Sequence, residues 1–416
     1  MANSNDIPDG YKLKELGVLP KEWDIIPFSS CFIHKKGKIR SHINKSDFQL
    51  TGHYPIVDQS TNYIAGYTDD ETILFKEPLP VIIFGDHTRV FKFVDFSFAI
   101  GAQGTKIFIP NKEMFDPQFL YYNLSNLEIP NRGYNRHSKL LNEYSIVKPP
   151  LPEQRAIATT LRIVQEAKEK TDTMIAATKA LKAAMIKHLF TYGPVPPEEA
   201  ERVELKETEI GQVPEEWKIN KVGDYCLSSA FGPRFSNSLY DVNGNIALLR
   251  TTDLDSDGNI SYSTMPKVKL EIQQFKNHFL LANDLVISRS GTCGIAAVFS
   301  NFEIPVLPGA FLIRFRLSNV INPFFLKYYI NSEAGHARIS QLADGAIQKN
   351  ISGKKILNFY IPVPSHNIQN QILTILSAID QKLAAEQSRK EALDTLFASL
   401  LHDLMTAKIR VNEIAV

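Results

Sequence analysis

The stretches LGVLPKEW (residues 16–23) and IGQVPEEW (residues 210–217) decide how this chain is organised. Both carry Gly, Pro, Glu and Trp at the same spacing, and their tryptophans are the only two among the 416 residues. Matching strings this far apart indicate an internal duplication. Duplications are sought before any motif because they determine the architecture.

Two further pieces recur in the same order. The string DPQFLYY (residues 116–122) matches NPFFLKY (residues 322–328), and Asp or Asn followed by Pro predicts a helix start in both. The segment that opens at LPEQ (residues 151–154) matches the segment around Gln369. Each half is therefore predicted to be a mixed domain of about 150 residues followed by a long helix.

Both predicted helices carry an apolar seam whose residues recur in alternating steps of three and four, which is typical of helices that pack along their length. Each segment lacks Gly and Pro for long enough to make about 57 Å of helix at about 1.5 Å per residue. Two core helices of one globule are the alternative, but globular helices usually run about 8–20 residues. The length favours two long helices that pack on each other. The seam positions are Ile157, Leu161, Met185, Leu189, Ile372, Leu376, Leu400 and Leu404.

The repeats and the composition predict five segments and an α+β fold. Short β-branched or aromatic stretches bounded by turn residues predict strands at 81–85, 90–100, 105–110, 284–290 and 310–317. The expected fold is thus two mixed α/β domains in tandem repeat, separated by two long helices. The predicted boundaries are 1–150 for the first domain, 151–192 for the first helix, 193–210 for an acidic linker, 211–363 for the second domain and 364–416 for the second helix.

The net charge of the whole chain is a poor guide to its partners. The 46 Lys and Arg against 45 Asp and Glu give a formal net charge of +1, which would argue against a nucleic-acid ligand. However, residues 193–216 carry a net −6 and residues 217–363 carry +5, whereas residues 1–150 are neutral. One acidic connector thus masks a basic remainder. Nucleic-acid binding, which depends on local clusters of Lys and Arg, is not excluded.

Motifs of common enzyme classes are missing from the sequence. GxxxxGK[ST] is absent, and so are the CxxC, HxxxH and HExxH spacings of zinc sites. NPFF (residues 322–325) is similar to the [DNS]PP[YF] loop of adenine amino-methyltransferases but lacks its second proline. Cys293 is more typical of a small buried apolar residue than of a catalytic nucleophile. We therefore expect no catalytic activity, no cofactor and no bound metal.

The sequence also bears on the compartment. No run approaches the roughly 20 apolar residues that span a bilayer, and no basic stretch precedes an apolar one at the start of the chain. The three cysteines lie far apart, which argues against a disulfide framework. We expect a cytoplasmic protein.

Three groups of side chains are candidates for contacting DNA. Residues 34–45 hold five cationic groups and no acid, which fits either a track for phosphates or a solvated loop. A second group recurs just before each long helix and offers side chains that pair with purine edges. Single residues of a third group could equally be structural ion-pair partners. The candidates are Lys35, Lys36, Lys38 and Arg40 in the first group, Asn135, Arg136, His137, Lys139, Gln348, Lys349 and Asn350 in the second, and His87, Arg89, Arg250 and Arg289 in the third.

These strings together resemble the specificity subunit of Type I restriction–modification enzymes, over essentially the whole chain. LGVLPKEW and IGQVPEEW resemble the family's domain-opening segment, and PPLPEQRAIATTL (residues 149–161) resembles its helix-opening signature. Residues 84–107 and 284–299 resemble target-recognition motifs. The second helix opening departs from the pattern, because Ile368 replaces the usual Glu beside Gln369. The positions that match the signature are Pro149, Pro150, Glu153, Gln154 and Ile157.

The resemblance implies a non-catalytic DNA reader. Two target-recognition domains would each read one half of a bipartite, asymmetric sequence, and the long helices would pack as an antiparallel coiled coil that sets the spacing. The helices would dock two methyltransferase subunits, to which restriction and translocase subunits are added, and methyl transfer would belong to those partners. A recognition subunit of a related non-Type I system and a purely structural coiled-coil scaffold are the alternatives.

Overall fold

The computed structural model describes residues 7–33, 43–101, 104–131, 133, 136–345 and 349–411. The chain divides into two compact units: unit 1 combines Met1–Asp172 with Ser388–Val416, and unit 2 is Thr173–Gln387. None of the helices in the described ranges is both long and apolar enough to pass through a bilayer.

Unit 1 is an assembly of short strands with one small helix and parts of two long ones. Its strands are β1 Tyr11–Lys14, β2 Gly17–Pro20, β3 Asp24–Pro27, β4 Tyr54–Val57, β5 Gly66–Thr68, β6 Val81–Gly85, β7 Phe91–Val94, β8 Ala99–Ile100, β9 Thr105–Phe108 and β10 Ser145–Lys148. Its small helix is α1 Pro117–Ser125, and the long helix α2 Leu151–Tyr192 begins in it. The predicted strand at 90–100 is wrong in one respect, since it is interrupted between β7 and β8.

Unit 2 repeats this order with two more helices. Its strands are β11 Leu205–Thr208, β12 Gly211–Pro214, β13 Lys218–Lys221, β14 Cys226–Phe231, β15 Ile246–Leu249, β16 Lys267–Val268, β17 Leu285–Ser288, β18 Ala296–Val298, β19 Val306–Pro308, β20 Leu312–Leu317 and β21 Tyr360–Val363. Its helices are α3 Pro323–Asn331, α4 Glu333–Gln341, α5 Gly353–Leu357 and the long α6 His366–Met405, which ends in unit 1.

The sheets of the two units match pair by pair. In unit 1 the central strand β6 lies between β7 and β9, and in unit 2 β17 lies between β18 and β20, which also pairs with β14. The strand that leads into each long helix, β10 or β21, pairs antiparallel with the strand after each tryptophan, β3 or β13. A parallel pair, β4 with β8 and β15 with β19, recurs as well. The predicted duplication and the α+β fold class are confirmed.

The two long helices pack antiparallel. In unit 1 Lys168 Nζ lies 2.7 Å from Asp394 Oδ1, and Asp172 Oδ1 lies 2.5 Å from Lys390 Nζ. A step of four residues forward along α2 thus corresponds to a step of four residues backward along α6, so the two helices run in opposite directions. In unit 2 the ion pair of Lys182 with Asp380, at 2.9 Å, continues the same register.

The seam positions lie on the packed faces of these helices. Burial is greatest where the helices meet the sheets, because side chains there contact both. Six are buried and two are partly buried: Ile157, Leu161, Leu189, Ile372, Leu376 and Leu404, then Met185 and Leu400.

A buried glutamine ties the start of each long helix to the preceding domain. Gln154 accepts a hydrogen bond from the backbone N–H of Asp116 at 2.9 Å and donates to the carbonyls of Met114 and Pro149. Gln369 accepts from the N–H of Asn322 at 2.7 Å and donates to two carbonyls in the same way. The glutamine of the repeated helix opening is therefore a clamp, used identically in both units.

Candidate nucleic-acid interface

In unit 1 the loop after the central strand meets the segment that precedes the long helix. Asp86 follows β6 directly, and its N–H donates to the carbonyl of Gly104, just before β9, at 3.1 Å. Its own carbonyl accepts a hydrogen bond from His137 Nδ1 at 2.8 Å, and its Oδ1 accepts from the N–H of Ser138 at 2.7 Å. Two candidate groups that are about 50 residues apart in sequence thus become neighbours.

Unit 2 places Arg289 in the same position. Arg289 follows β17, and its N–H donates to the carbonyl of Phe311, just before β20, at 2.8 Å. Its carbonyl accepts from the N–H of Ile351 at 2.8 Å, and Ser290 forms a bridge with Asn350. A buried acid in unit 1 and a half-buried cation in unit 2 therefore occupy equivalent positions.

The Arg289 side chain points along a groove of about 220 Å³ at the surface of unit 2. Its Nε–H donates to Asn350 Oδ1 at 3.0 Å, and its guanidinium carbon lies 4.9 Å from the centre of the Phe231 ring. Phe231 and Phe311, both on the groove, expose nearly half of their surface. Cations beside open aromatic rings are a common way to hold nucleic-acid bases and phosphates.

Other candidates lie at the surface around these positions. His87 and Arg136 are exposed in unit 1, beside Asp86 and His137 in the sequence, and so is Lys139. Lys349 is exposed in unit 2, next to Asn350. These four side chains are exposed to solvent. The next three candidates are instead bound to other groups of the protein.

His137, Arg89 and Arg250, also selected as DNA contacts, bind groups of the protein itself. His137 is buried and holds the Asp86 carbonyl. Arg89 Nη1 donates to the carbonyl of Ile129 at 2.8 Å. Arg250 binds both carboxylate oxygens of Asp253, and these hydrogen bonds raise the pKa of the guanidinium. Sequence spacing could not distinguish these residues from true DNA contacts, because an arginine that binds DNA and one that binds a carboxylate are the same letter in a sequence.

Six candidates lie outside the described residues. They are Lys35, Lys36, Lys38, Arg40, Asn135 and Gln348.

Sequence reasoning missed three residues of the unit 2 groove: Phe231, Arg234 and Phe311. Phe231 ends β14 and Arg234 follows three residues later in the string AFGPRF (residues 230–235). An exposed aromatic next to Gly, Pro and Arg was the available signal. Phe311 offered no such signal, because it lies in an apolar stretch just before β20.

The free cysteines do not add a reactive group to this surface. Burial raises the pKa of the Cys293 thiol, whose sulfur lies near the carbonyls of Arg289 and Lys349. A thiol that stays protonated is a poor nucleophile. Cys293 is therefore a structural residue behind the groove.

Comparison with known proteins gives a consistent result. The family described as "Type I restriction modification DNA specificity domain" matches residues 214–395. The chain is 24% identical to the MjaVIII specificity subunit, a Type I restriction enzyme subunit of Methanocaldococcus jannaschii, over 95% of both chains. It is 24% identical to the EcoR124I/EcoR124II specificity subunit of Escherichia coli over 81% of this chain and 82% of that protein.

Solved structures share the fold. The S subunit of a Type I restriction–modification system from M. genitalium superposes with a TM-score of 0.61 at 19% identity, over 92% of this chain and 96% of that one. The duplicated sheets, the paired long helices and the full-length relatives agree with one another. Residues 214–395 match the Type I restriction modification DNA specificity domain, and the chain is similar over most of its length to specificity subunits of Type I restriction enzymes.

Proposed function

We propose that this chain is the subunit that reads a bipartite, asymmetric DNA site for a Type I restriction–modification complex. Unit 1 and unit 2 would each read one half-site. The chain would direct methyltransferase and restriction subunits to that site and contribute no catalytic group itself. DNA recognition is what the family description and the names of the relatives state of those proteins.

One observation carries the proposal: the same two loops meet at the same place in both units. The loop after the central strand and the segment before the long helix are joined by hydrogen bonds to the carbonyl and carboxylate of Asp86 in unit 1 and to the carbonyl of Arg289 in unit 2. The side chains around this junction differ between the units, while the backbone N–H of Asp86 and that of Arg289 make the same bond, to the residue just before β9 or β20. A fixed backbone with variable polar side chains is suited to reading two different sequences.

Charge supports this assignment for unit 2 in particular. Residues 217–363 carry 15 basic and 10 acidic side chains. The neutral residues 1–150 have to rely on local cations such as the exposed Arg136 and Lys139. Phosphate contacts position a reader on the duplex, and base contacts provide the selectivity.

The proposal is tested by measuring the affinity of the full chain for duplex DNA at several salt concentrations. The logarithm of the binding constant falls with that of the salt concentration by about 0.9 per neutralised phosphate. The double variant Arg136→Gln, Lys139→Gln should reduce this slope by up to about 2. Lys12→Gln with Lys21→Gln, two exposed lysines near Trp23, is the matched control and should leave it unchanged. A wild-type chain that binds all sequences equally would contradict the proposal.

A further inference from the structure

Contacts to its backbone, to its Nε–H and to the face of its guanidinium hold Arg289 in one orientation. Nε–H donates to Asn350 Oδ1, and the guanidinium carbon lies over the Phe231 ring, 4.9 Å from its centre. Its backbone N–H and carbonyl are bound to Phe311 and Ile351. Among the described residues, neither of its terminal amino groups has a hydrogen-bond partner. The result is a fixed pair of donors.

The surroundings of this pair favour an electron-rich ligand. The described residues that line the groove include two cations, Arg234 and Arg289, and no carboxylate. Phe231 and Phe311 offer open ring surface on the same groove. The groove is thus equipped for a flat, polar ligand that presents acceptors at its edge.

We infer that Arg289 reads a guanine in the DNA half-site of unit 2, with Phe231 and Asn350 as positioning residues. The inference rests on the proposed function. Guanine presents two acceptors, O6 and N7, side by side in the major groove, whereas adenine presents one acceptor and one donor there. The two terminal amino groups of an arginine match the guanine pair. Because the ring and the amide already hold the guanidinium, little side-chain entropy is lost on binding.

Unit 1 has no arginine at the position equivalent to Arg289. Asp86 stands where Arg289 stands in unit 2, and its carboxylate is turned inward to the N–H of Ser138. A carboxylate cannot donate to guanine O6 or N7. A guanine read from this position of the fold should therefore occur in only one of the two half-sites.

The test is selection of sequences from a random pool of duplex DNA by the full chain. The wild type should recover guanine at one position of one half-site. Arg289→Lys keeps the charge but replaces the planar pair of amino groups with one ammonium on a flexible stem, and should lower the preference for that guanine about tenfold or more. Phe231→Leu, which removes only the aromatic ring, should lower it less. Arg234→Gln is the control: as a phosphate contact it should weaken binding to all sequences alike.

A second measurement acts on the DNA and does not depend on how the variants fold. Replacing the selected guanine with 7-deazaguanine removes the N7 acceptor. This should weaken binding of the wild type and have no further effect on Arg289→Lys. If the wild type selects a sequence but Arg289→Lys selects the same one as strongly, or if 7-deazaguanine binds the wild type as well as guanine does, the assignment of Arg289 is overturned. If the wild type selects no sequence, the proposed function itself fails.

Discussion

In unit 1 a tyrosine of the small helix α1 contacts an aromatic ring of a long helix, whereas the equivalent tyrosine of α3 in unit 2 binds a carboxylate of a long helix. The Tyr122 ring of α1 lies 5.9 Å from that of Phe397, and Lys168 Nζ lies 4.7 Å from the centre of the Phe397 ring. The equivalent tyrosine of α3, Tyr328, donates instead to Asp380 Oδ2 at 2.5 Å.

The charged contact extends further in unit 2. Lys182 binds Asp380 at 2.9 Å and Asp257 at 2.6 Å, so a strand-side loop, α2 and α6 are joined through one ammonium group. Burial and the bond to Asp380 raise the pKa of the Tyr328 hydroxyl, which therefore remains a donor. The duplication thus kept the backbone of this contact and changed its chemistry. Half-buried positions allow this, because they accept either apolar packing or paired charges.

A second difference concerns the entry to the long helices. In unit 1 Glu153 accepts from Trp23 Nε1 at 2.9 Å and binds Arg410 Nε at 2.6 Å. Ile368 stands at the position of Glu153 in unit 2, and the same offset along the chain places Val195 at the position of Arg410. Both members of the ion pair are replaced together. This gives a physical reason for the departure of Ile368 from the family signature, since a carboxylate there would lose its cation.

The largest expected effect tests the feature that the units share. Gln154→Ala and Gln369→Ala each leave one N–H and two carbonyls of the backbone without a side-chain partner. Each variant should destabilise its own unit by about 3 kcal/mol, because unsatisfied buried polar groups are costly. Hydrogen–deuterium exchange of peptides from each unit measures this loss separately. The exposed Gln381→Ala is the control. A loss in one unit only would show that the clamp is not equivalent in the two units.

The next effect separates aromatic from ionic packing. Phe397→Ala should destabilise unit 1 by about 2 kcal/mol at any salt concentration, because the loss is apolar packing. Lys182→Met should destabilise unit 2 by about 2 kcal/mol at low salt, and by less at 1 M salt, where charge interactions are screened.

Exchange rates at the two salt concentrations measure both losses. Equal salt dependence of the two variants would show that the contrast between the units has no energetic consequence.

Loss of the ion pair between Glu153 and Arg410 should have a smaller effect on stability. In a double-mutant cycle, Glu153→Ile and Arg410→Ala should be coupled by about 1 kcal/mol in the stability of unit 1. Glu22 also binds Arg410 at 2.9 Å, so Arg410→Ala should cost more than Glu22→Ala. Additive losses would mean that Glu153 and Arg410 act independently, and the paired replacement in unit 2 would need another explanation.

The smallest expected effect compares the caps of α1 and α3. The Asp116 carboxylate accepts from the N–H groups of Gln118 and Phe119, both at 3.0 Å, whereas the Asn322 side chain accepts from Phe324 alone. Replacing either residue with Ala should destabilise its helix by about 1 kcal/mol, with the larger loss for Asp116. Exchange at these N–H groups measures the difference. A larger loss for Asn322 would contradict the hydrogen-bond count.

Local pattern predicted much of this fold. The first long helix was placed at 151–192 because its periodicity, its lack of Gly and Pro, and the flanking prolines act along the chain. The stretch 90–100 was harder: β7 and β8 join different sheets, one beside β6 and the other beside β4. Continuous β-propensity cannot show where a strand changes partners.

The candidate site shows where sequence reasoning stops. Arg289 and Asn350 were both selected, yet nothing in the sequence brings together two residues 61 positions apart. His137 and Arg250 were selected for the same reasons, yet His137 is buried and Arg250 binds the carboxylate of Asp253. Residue type indicates what a side chain can bind, and burial determines what it does bind.

The sequence by itself determined the duplication, the fold class, the long helices and the resemblance to Type I specificity subunits, because each depends on repeated strings and on periodicity along the chain. The tertiary structure decided the equivalence of Asp86 and Arg289, the contact of Phe231 with that arginine and the different packing of the two units. These depend on which strands pair and which side chains are left exposed. Contacts between distant segments follow from the free energy of the whole fold, which no single stretch of sequence contains.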